Sequence, residues 1–209
     1  FLDLIINQAI LTGGFKKKIM GKKNKNKSNR YRLTRKEIDA LMASRVVVQD
    51  ENRVLVIGDI HLPAERDDYL KFCKDMKRKY KTTETVFIGD ILDHHAISFH
   101  QKNPDSDGAV AEYEKAMKAL KKWNKAFPIA RVCIGNHDER VHRLAANSGI
   151  PAMYLKEYSD IYETPGWDWE YSHELEGIYY YHGSGASSGV CPAFNTAKAR
   201  LQSSVAGHV

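Results

Sequence analysis

Apolar residues recur along this chain in two rhythms. The strand Arg53 to Ile57 is a short run with Val54-Leu55-Val56-Ile57 unbroken, closed by Gly58, as expected of a strand covered on both faces. Thr85-Val86-Phe87-Ile88 closes on Gly89 in the same way, and Ile129 to Ile134 closes on Gly135. Between these runs, residues 64–80 read as an amphipathic helix. Residues 107–126 read as the clearest helix, with Ala111, Tyr113, Ala116, Met117, Leu120 and Trp123 near helical spacing. Ile178-Tyr179-Tyr180-Tyr181 predicts another strand, ending in His182-Gly183. A helix is expected over Ala193 to Gln202, and Val205-Ala206-Gly207-His208 opens a last strand. Pro165-Gly166, with tryptophan and tyrosine nearby, reads as a surface loop. Alternating strands and helices predict an α/β fold, and strands that each close on glycine and then polar residues put a site at the carboxyl edge of the sheet.

The first fifty residues lack this rhythm and are read apart from a globular body over 51–209. Lys16 to Lys36 carries eleven Lys and Arg and no acid, a composition that repels itself and buries too little apolar surface to fold. Residues 1–50 carry +8 of the overall +6, so the body is mildly acidic at −2 and the pI of about 9.1 belongs to the arm. Such a flexible basic arm serves as a solubilising tail or as a nucleic-acid-binding segment. Thr34-Arg35-Lys36-Glu37 is a capping box that starts a short helix to about Ser44, and no second helix follows it as a DNA-reading module would need. Phe1–Phe15 is apolar with its lysines after it, the reverse of an export signal; Met20 is a candidate natural start, with residues 1–19 read through from upstream.

Globular composition, 43% hydrophobic and 28% charged, bounds the class. No stretch reaches the ~20 apolar residues of a membrane-spanning helix. Cys73, Cys133 and Cys191 form no closely spaced pair and are odd in number, which argues against a disulfide framework and for a reducing, cytoplasmic setting.

Chemistry enters with the residues that leave the strands: Asp59 and His61, then Asp90 and Asp93, then Asn136, His137 and Asp138, then His182, then His208. All are oxygen or nitrogen donors suited to divalent metals of intermediate hardness. A Gly-Asp pair at a strand end commonly caps a turn, so each element alone says little; five in succession say much more. The residues resemble the calcineurin-like metallophosphoesterases, whose pattern is D-x-H, G-D-x-x-D, G-N-H-D/E, a lone His and G-H-x-H. The matching segments are Asp59-Ile60-His61, Gly89-Asp90-Ile91-Leu92-Asp93, Gly135-Asn136-His137-Asp138, His182 and Gly207-His208-Val209. The run His94-His95-Ala96-Ile97-Ser98-Phe99-His100 looks like phage-encoded members, which would place the protein in a bacterial host cell.

The resemblance implies a sandwich of β-sheets flanked by helices, and two divalent metal ions sharing one carboxylate. Manganese is the first expectation, with iron, zinc or nickel also accepted by such mixed sites. By position, Asp90 is the bridge; Asp59 and His61 belong to the first metal, and Asn136, His182 and His208 to the second. A metal-bridging hydroxide is the implied nucleophile. His137 is implied to protonate the leaving oxygen or bind phosphate, Asp138 to fix its orientation, and Asp93 to hold a ligand in place. Two departures stand out. His94 occupies a position where the family often has Arg or Asn. The chain also ends at Val209, one residue before the second histidine of G-H-x-H, which predicts either a fragment or a metal short of one ligand.

For substrate contact, His95, Arg140 and Arg143 are candidates, with Lys198 and Arg200 behind them; an ordinary solvated face is the competing reading for each arginine and lysine. Ser184 to Gly189 fits a flexible lip or a plain loop equally. The expected function is hydrolysis of a phosphoester, with the basic arm tilting the reading towards a phosphodiesterase or nuclease acting on nucleic acid or nucleotides. The alternatives are a phosphomonoesterase acting on proteins or small molecules, a scaffold that has lost its metals, and a nucleic-acid-binding module on residues 16–44. Oligomeric state leaves no mark in the sequence.

Overall fold

The computed structural model describes residue 36 and residues 52–101, 103–184 and 191–208. The basic arm, the expected 34–44 helix (apart from Lys36, which is helical and exposed) and the Gly185–Gly189 part of the loop after Ser184 lie outside the described residues.

Four short strands, β1 (Val54–Ile57), β2 (Glu84–Phe87), β3 (Ala130–Cys133) and β4 (Trp167–Glu170), pair in that order as a wholly parallel sheet. A second sheet holds β5 (Ser172–Leu175), β6 (Ile178–Tyr181) and β7 (Ser203–Ala206); β6 runs antiparallel to β5 and parallel to β7. The helices are α1 (Tyr69–Tyr80), α2 (Ala109–Ala126), α3 (Arg140–Asn147), α4 (Tyr158–Ile161) and α5 (Pro192–Arg200).

Period-two alternation explains why the parallel strands are apolar on both faces. Leu55, Ile57, Phe87, Ala130 and Val132 pack with Cys73 of α1 and with Ala116, Met117, Leu120 and Trp123 of α2. The alternate residues Val54, Val56, Val86 and Cys133 pack instead against Leu175, Ile178, Tyr180 and Val205 of the second sheet. The parallel sheet is thus the middle layer between helices and a second sheet, an α/β sandwich. Trp123, 1% exposed, meets Tyr69, Phe87 and Phe127 with ring centroids about 6 Å apart, a spacing that rewards edge-on and offset packing.

The elements read from the sequence recur with ends shifted by a few residues, and two readings need correction. Pro165 and Gly166 are exposed, but the aromatics that follow form β4: Trp167 is 3% exposed, and its indole N–H donates to the Phe127 carbonyl at 2.7 Å. On α2 the buried face carries Glu112 instead of the expected Ala111 and Tyr113, which are exposed. No helix among the described residues is long and apolar enough to cross a membrane.

Candidate metal centre

The strands β1 and β2 of the parallel sheet and β7 of the second sheet each lead into left-handed backbone that throws polar side chains towards one place. Asp59, His61, Asp90 and His208 all hold φ between 50° and 55°. Left-handed backbone is unfavourable for residues other than glycine, and its concentration at strand ends marks a place where packing holds strain for function. Gly135 and Gly89 allow close approaches within the site. A Cβ on Gly135 would lie 2.2 Å from Asp90 Oδ1, and one on Gly89 would lie 2.4 Å from His182 Nδ1.

Asp90 is at the centre, with its side chain 2% exposed. Its Oδ2 lies 3.3 Å from His182 Nε2, 3.7 Å from His61 Nε2 and 4.0 Å from His137 Nε2, while Oδ1 accepts the His137 backbone N–H at 2.9 Å. Two donor groups share it: His61, Asp90 and His137, and Asp90, His182 and His208. Asp59 falls in neither group, although its backbone N–H binds the Gly89 carbonyl and its chain segment abuts the same cluster. Asn136 joins through Oδ1, 2.8 Å from His182 Nε2.

The hydrogen bonds fix which ring nitrogens are free. A backbone carbonyl only accepts, so His182 Nδ1, 2.8 Å from the Ile88 carbonyl, must carry a proton. In the neutral ring Nε2 then points a lone pair at Asn136 Oδ1 and Asp90 Oδ2. Three electron pairs converge there, an arrangement that a proton, a cation or a turned Asn136 amide neutralises. This convergence, from donors of mixed N and O type, fits a divalent metal. His61 behaves alike: its Nδ1 lies 3.1 Å from Asp93 Oδ1, which turns Nε2 towards Asp90. Asp93 also lies 3.1 Å from His137 Nδ1 and so ties two imidazoles, as carboxylates behind metal-binding histidines do. Hydrogen bonds from His137 and His61 hold the Asp93 carboxyl well below the usual carboxylate range. Burial opposes the charge on Asp90, but the hydrogen bond and charge of His182, with help from His137, leave its carboxyl lowered overall.

His137 is held from three sides. Nδ1 donates to the Asp93 carbonyl at 2.7 Å, Nε2 accepts from Arg140 Nη2 at 3.0 Å, and the ring meets His61 edge-on. Arg140, on neither a solvated face nor a free rim, is 8% exposed and also donates to the Asp93 and His94 carbonyls at 2.6 and 3.1 Å. Arg143 is exposed, its guanidinium 5.5 Å from the Phe99 ring centroid. His95 is half-buried; its backbone N–H and that of Ala96 donate to the two oxygens of Glu112 at 2.6 and 2.7 Å. Glu112 escaped the sequence reading, and its one signal is a charged residue at helical spacing with Ala116 and Leu120.

Asp138 requires a correction. It does not touch the ring of His137. Fully buried, it accepts backbone N–H groups from Ile91 and Leu92 on Oδ1, at 3.0 and 3.2 Å, and from Gly135 on Oδ2, at 3.0 Å. It clamps the loop after β2 to the loop after β3. Burial pushes its carboxyl up to about 7 against the pull of those donors. Asp138→Asn keeps the shape but offers only one acceptor oxygen; with that on Ile91 and Leu92, its NH₂ opposes the Gly135 N–H. Because Asn carries no charge to bury, the stability that the wild-type protein should lose between about pH 4 and pH 7 as Asp138 ionises should be kept in the variant, read from urea midpoints of the chelator-treated proteins at about pH 5 and pH 8.

The calcineurin-like phosphoesterase family model matches residues 52–200 of the chain. No curated protein matches it.

Proposed function

Because this chain belongs to the calcineurin-like phosphoesterases, and so is a metal-dependent phosphoester hydrolase, we propose that it is a dinuclear phosphodiesterase or nuclease acting on nucleic acid or nucleotides. The observation that carries the dinuclear reading is the sharing of Asp90 between two donor groups. Asp59, His61 and Asp90 would hold one ion, with Asp59 drawn in from outside the His61–Asp90–His137 group in place of His137, and Asp90, Asn136, His182 and His208 would hold the other. Two divalent ions, manganese first among the candidates, supply Lewis-acid chemistry when bound, making water acidic and withdrawing charge from the phosphoryl oxygens.

The side chains have their own tasks. Asp93 orients the His61 and His137 rings, and the Ile88 carbonyl orients His182. The Nε2 of His137 is the atom from which a proton would pass to the leaving oxygen. That nitrogen accepts from Arg140 at 3.0 Å, which draws its lone pair away from a metal, and to act as the acid it would first exchange this hydrogen bond for a proton of its own. Preference for a polyanion rests on the basic arm Lys16–Lys36, which would raise the local concentration of nucleic acid. Free thiols at Cys73, Cys133 and Cys191 agree with a reducing cytoplasm.

The test compares the full chain with Mn²⁺ on bis-p-nitrophenyl phosphate and on p-nitrophenyl phosphate. Faster cleavage of the diester is expected, and His137→Ala should lower kcat by ~10²–10⁴ with metal content unchanged. Faster cleavage of the monoester would instead establish the phosphomonoesterase alternative.

A further inference from the structure

Beside the Asp90 cluster lies a cleft of about 380 Å³, lined by Tyr171, Tyr179, Tyr181, His182, Thr196 and Arg200 among others. Strand geometry builds it. Tyr179 and Tyr181 are two apart on β6 and share one face, their rings 5.2 Å apart and 28° from parallel, while Tyr180 turns into the core. Tyr171, just before β5, is fixed by donating its hydroxyl hydrogen to Glu139 Oε1 at 2.9 Å. From α5, the guanidinium of Arg200 lies 3.6 Å over the Tyr179 ring centroid.

Three features give this cleft a chemical preference. Arg200 already covers one face of Tyr179, and the guanidinium plane with the tyrosine rings beside it suits a flat ring more than a branched aliphatic group. The Tyr181 hydroxyl is buried and has no hydrogen-bond partner among the described residues, so a polar edge is wanted there. The positive charge of Arg200 disfavours a quaternary ammonium, the other ligand that aromatic walls attract. His182 belongs both to the lining of the cleft and to the donor group around Asp90, so the cleft adjoins the Asp90 cluster.

We propose that this cleft is a nucleobase subsite, so that the substrate is a nucleotide ester with its base against Tyr179 and Tyr181 and its phosphate at Asp90. The proposal rests on the phosphodiesterase reading above and narrows it to esters that carry a base.

The test uses two diesters with one leaving group, the p-nitrophenyl ester of thymidine monophosphate and methyl p-nitrophenyl phosphate. The wild-type chain should prefer the thymidine ester in kcat/KM. In Tyr179→Leu that preference should fall about tenfold or more, within the roughly 5- to 150-fold span of one base–aromatic stack. Tyr179→Phe, which keeps the ring, should restore it, and Arg200→Gln should lower it. In parallel, quenching of intrinsic fluorescence should show saturable binding of adenosine monophosphate, weaker in Tyr179→Leu, and no comparable binding of ribose phosphate. Equal turnover of the two diesters by the wild-type chain, or a preference unaltered in Tyr179→Leu, overturns the subsite and leaves the phosphodiesterase reading standing. Failure to cleave either diester counts against the phosphodiesterase reading, and the fluorescence comparison then decides the subsite by itself: selective nucleotide binding supports it, and equal or absent binding overturns it.

Discussion

Asp90→Asn is expected to abolish metal-dependent hydrolysis while costing the metal-free protein only a modest part of its stability. In the metal-free protein, Asp90 Oδ2 sits 3.3 Å from a His182 Nε2 whose companion nitrogen already donates to Ile88, so the carboxylate draws a proton onto the ring, and that pairing holds its carboxyl below the usual range. An amide NH₂ at the same place donates to the neutral ring instead, and the remaining oxygen still accepts the His137 N–H, which offsets most of the lost charge pairing. The same exchange removes the one anion common to both donor groups. Even residues that merely support metal ligands change affinity by about 10–100-fold when altered, and a shared ligand should cost more. Thermal unfolding with and without Mn²⁺ reads both effects. The wild-type chain should gain about 2.7 kcal/mol when the free metal is a hundredfold above Kd, and the variant should gain almost nothing. Retention of a full metal-induced shift in the variant would sink the assignment of Asp90 as the shared ligand.

Gly135→Ala is expected to be strongly destabilising although it adds a single methyl group. Its added Cβ would stand 2.2 Å from Asp90 Oδ1 and 2.3 Å from the Asp90 backbone nitrogen. A flexible side-chain tip could swing away, but the second contact is backbone. That backbone is held on its far side, where Ile91 and Leu92 donate to Asp138, and Asp138 in turn accepts from Gly135. Relief therefore means separating the loops after β2 and β3, which breaks this clamp and moves Asp90 away from His61 and His182. Overpacking commonly costs about 1–3 kcal/mol, and a backbone collision belongs at or above the top of that span. Metal content should fall with stability. Gly108→Ala is the matched control: nothing lies within 4 Å of the point its Cβ would occupy, its φ is an ordinary −70°, and a change below about 1 kcal/mol is expected. Equal melting temperatures for the two variants would mean that the close approach at Gly135 can be relieved without opening the loops.

Much of the fold was legible because its signals are local. Strands such as Val54–Ile57 are written in a few consecutive apolar residues, and α2 in a helical spacing, so neighbours along the chain suffice to find them. β4 and β5 were not legible, since Trp167-Asp168-Trp169-Glu170 owes its strand to pairing with β3, a segment far earlier in the chain. The ends of the strands likewise carried the donor residues in readable order, because five such elements in succession point to one site where each alone would more commonly cap a turn.

The order of residues thus supplies the parts: alternating strands and helices, a line of Asp, His and Asn at strand ends, and a basic segment ahead of the body. Which of those parts meet was settled only by folding. It brought Asp93 to two histidines at once, buried Arg140 against His137, turned Asp138 away from that ring and onto three backbone N–H groups, and joined Tyr179, Tyr181 and Arg200 in one cleft. The physical reason is the range of the forces involved. Strand and helix propensities act over a handful of residues, whereas distances of about 3 Å between side chains far apart in sequence depend on strand order, register and close packing of the two core layers.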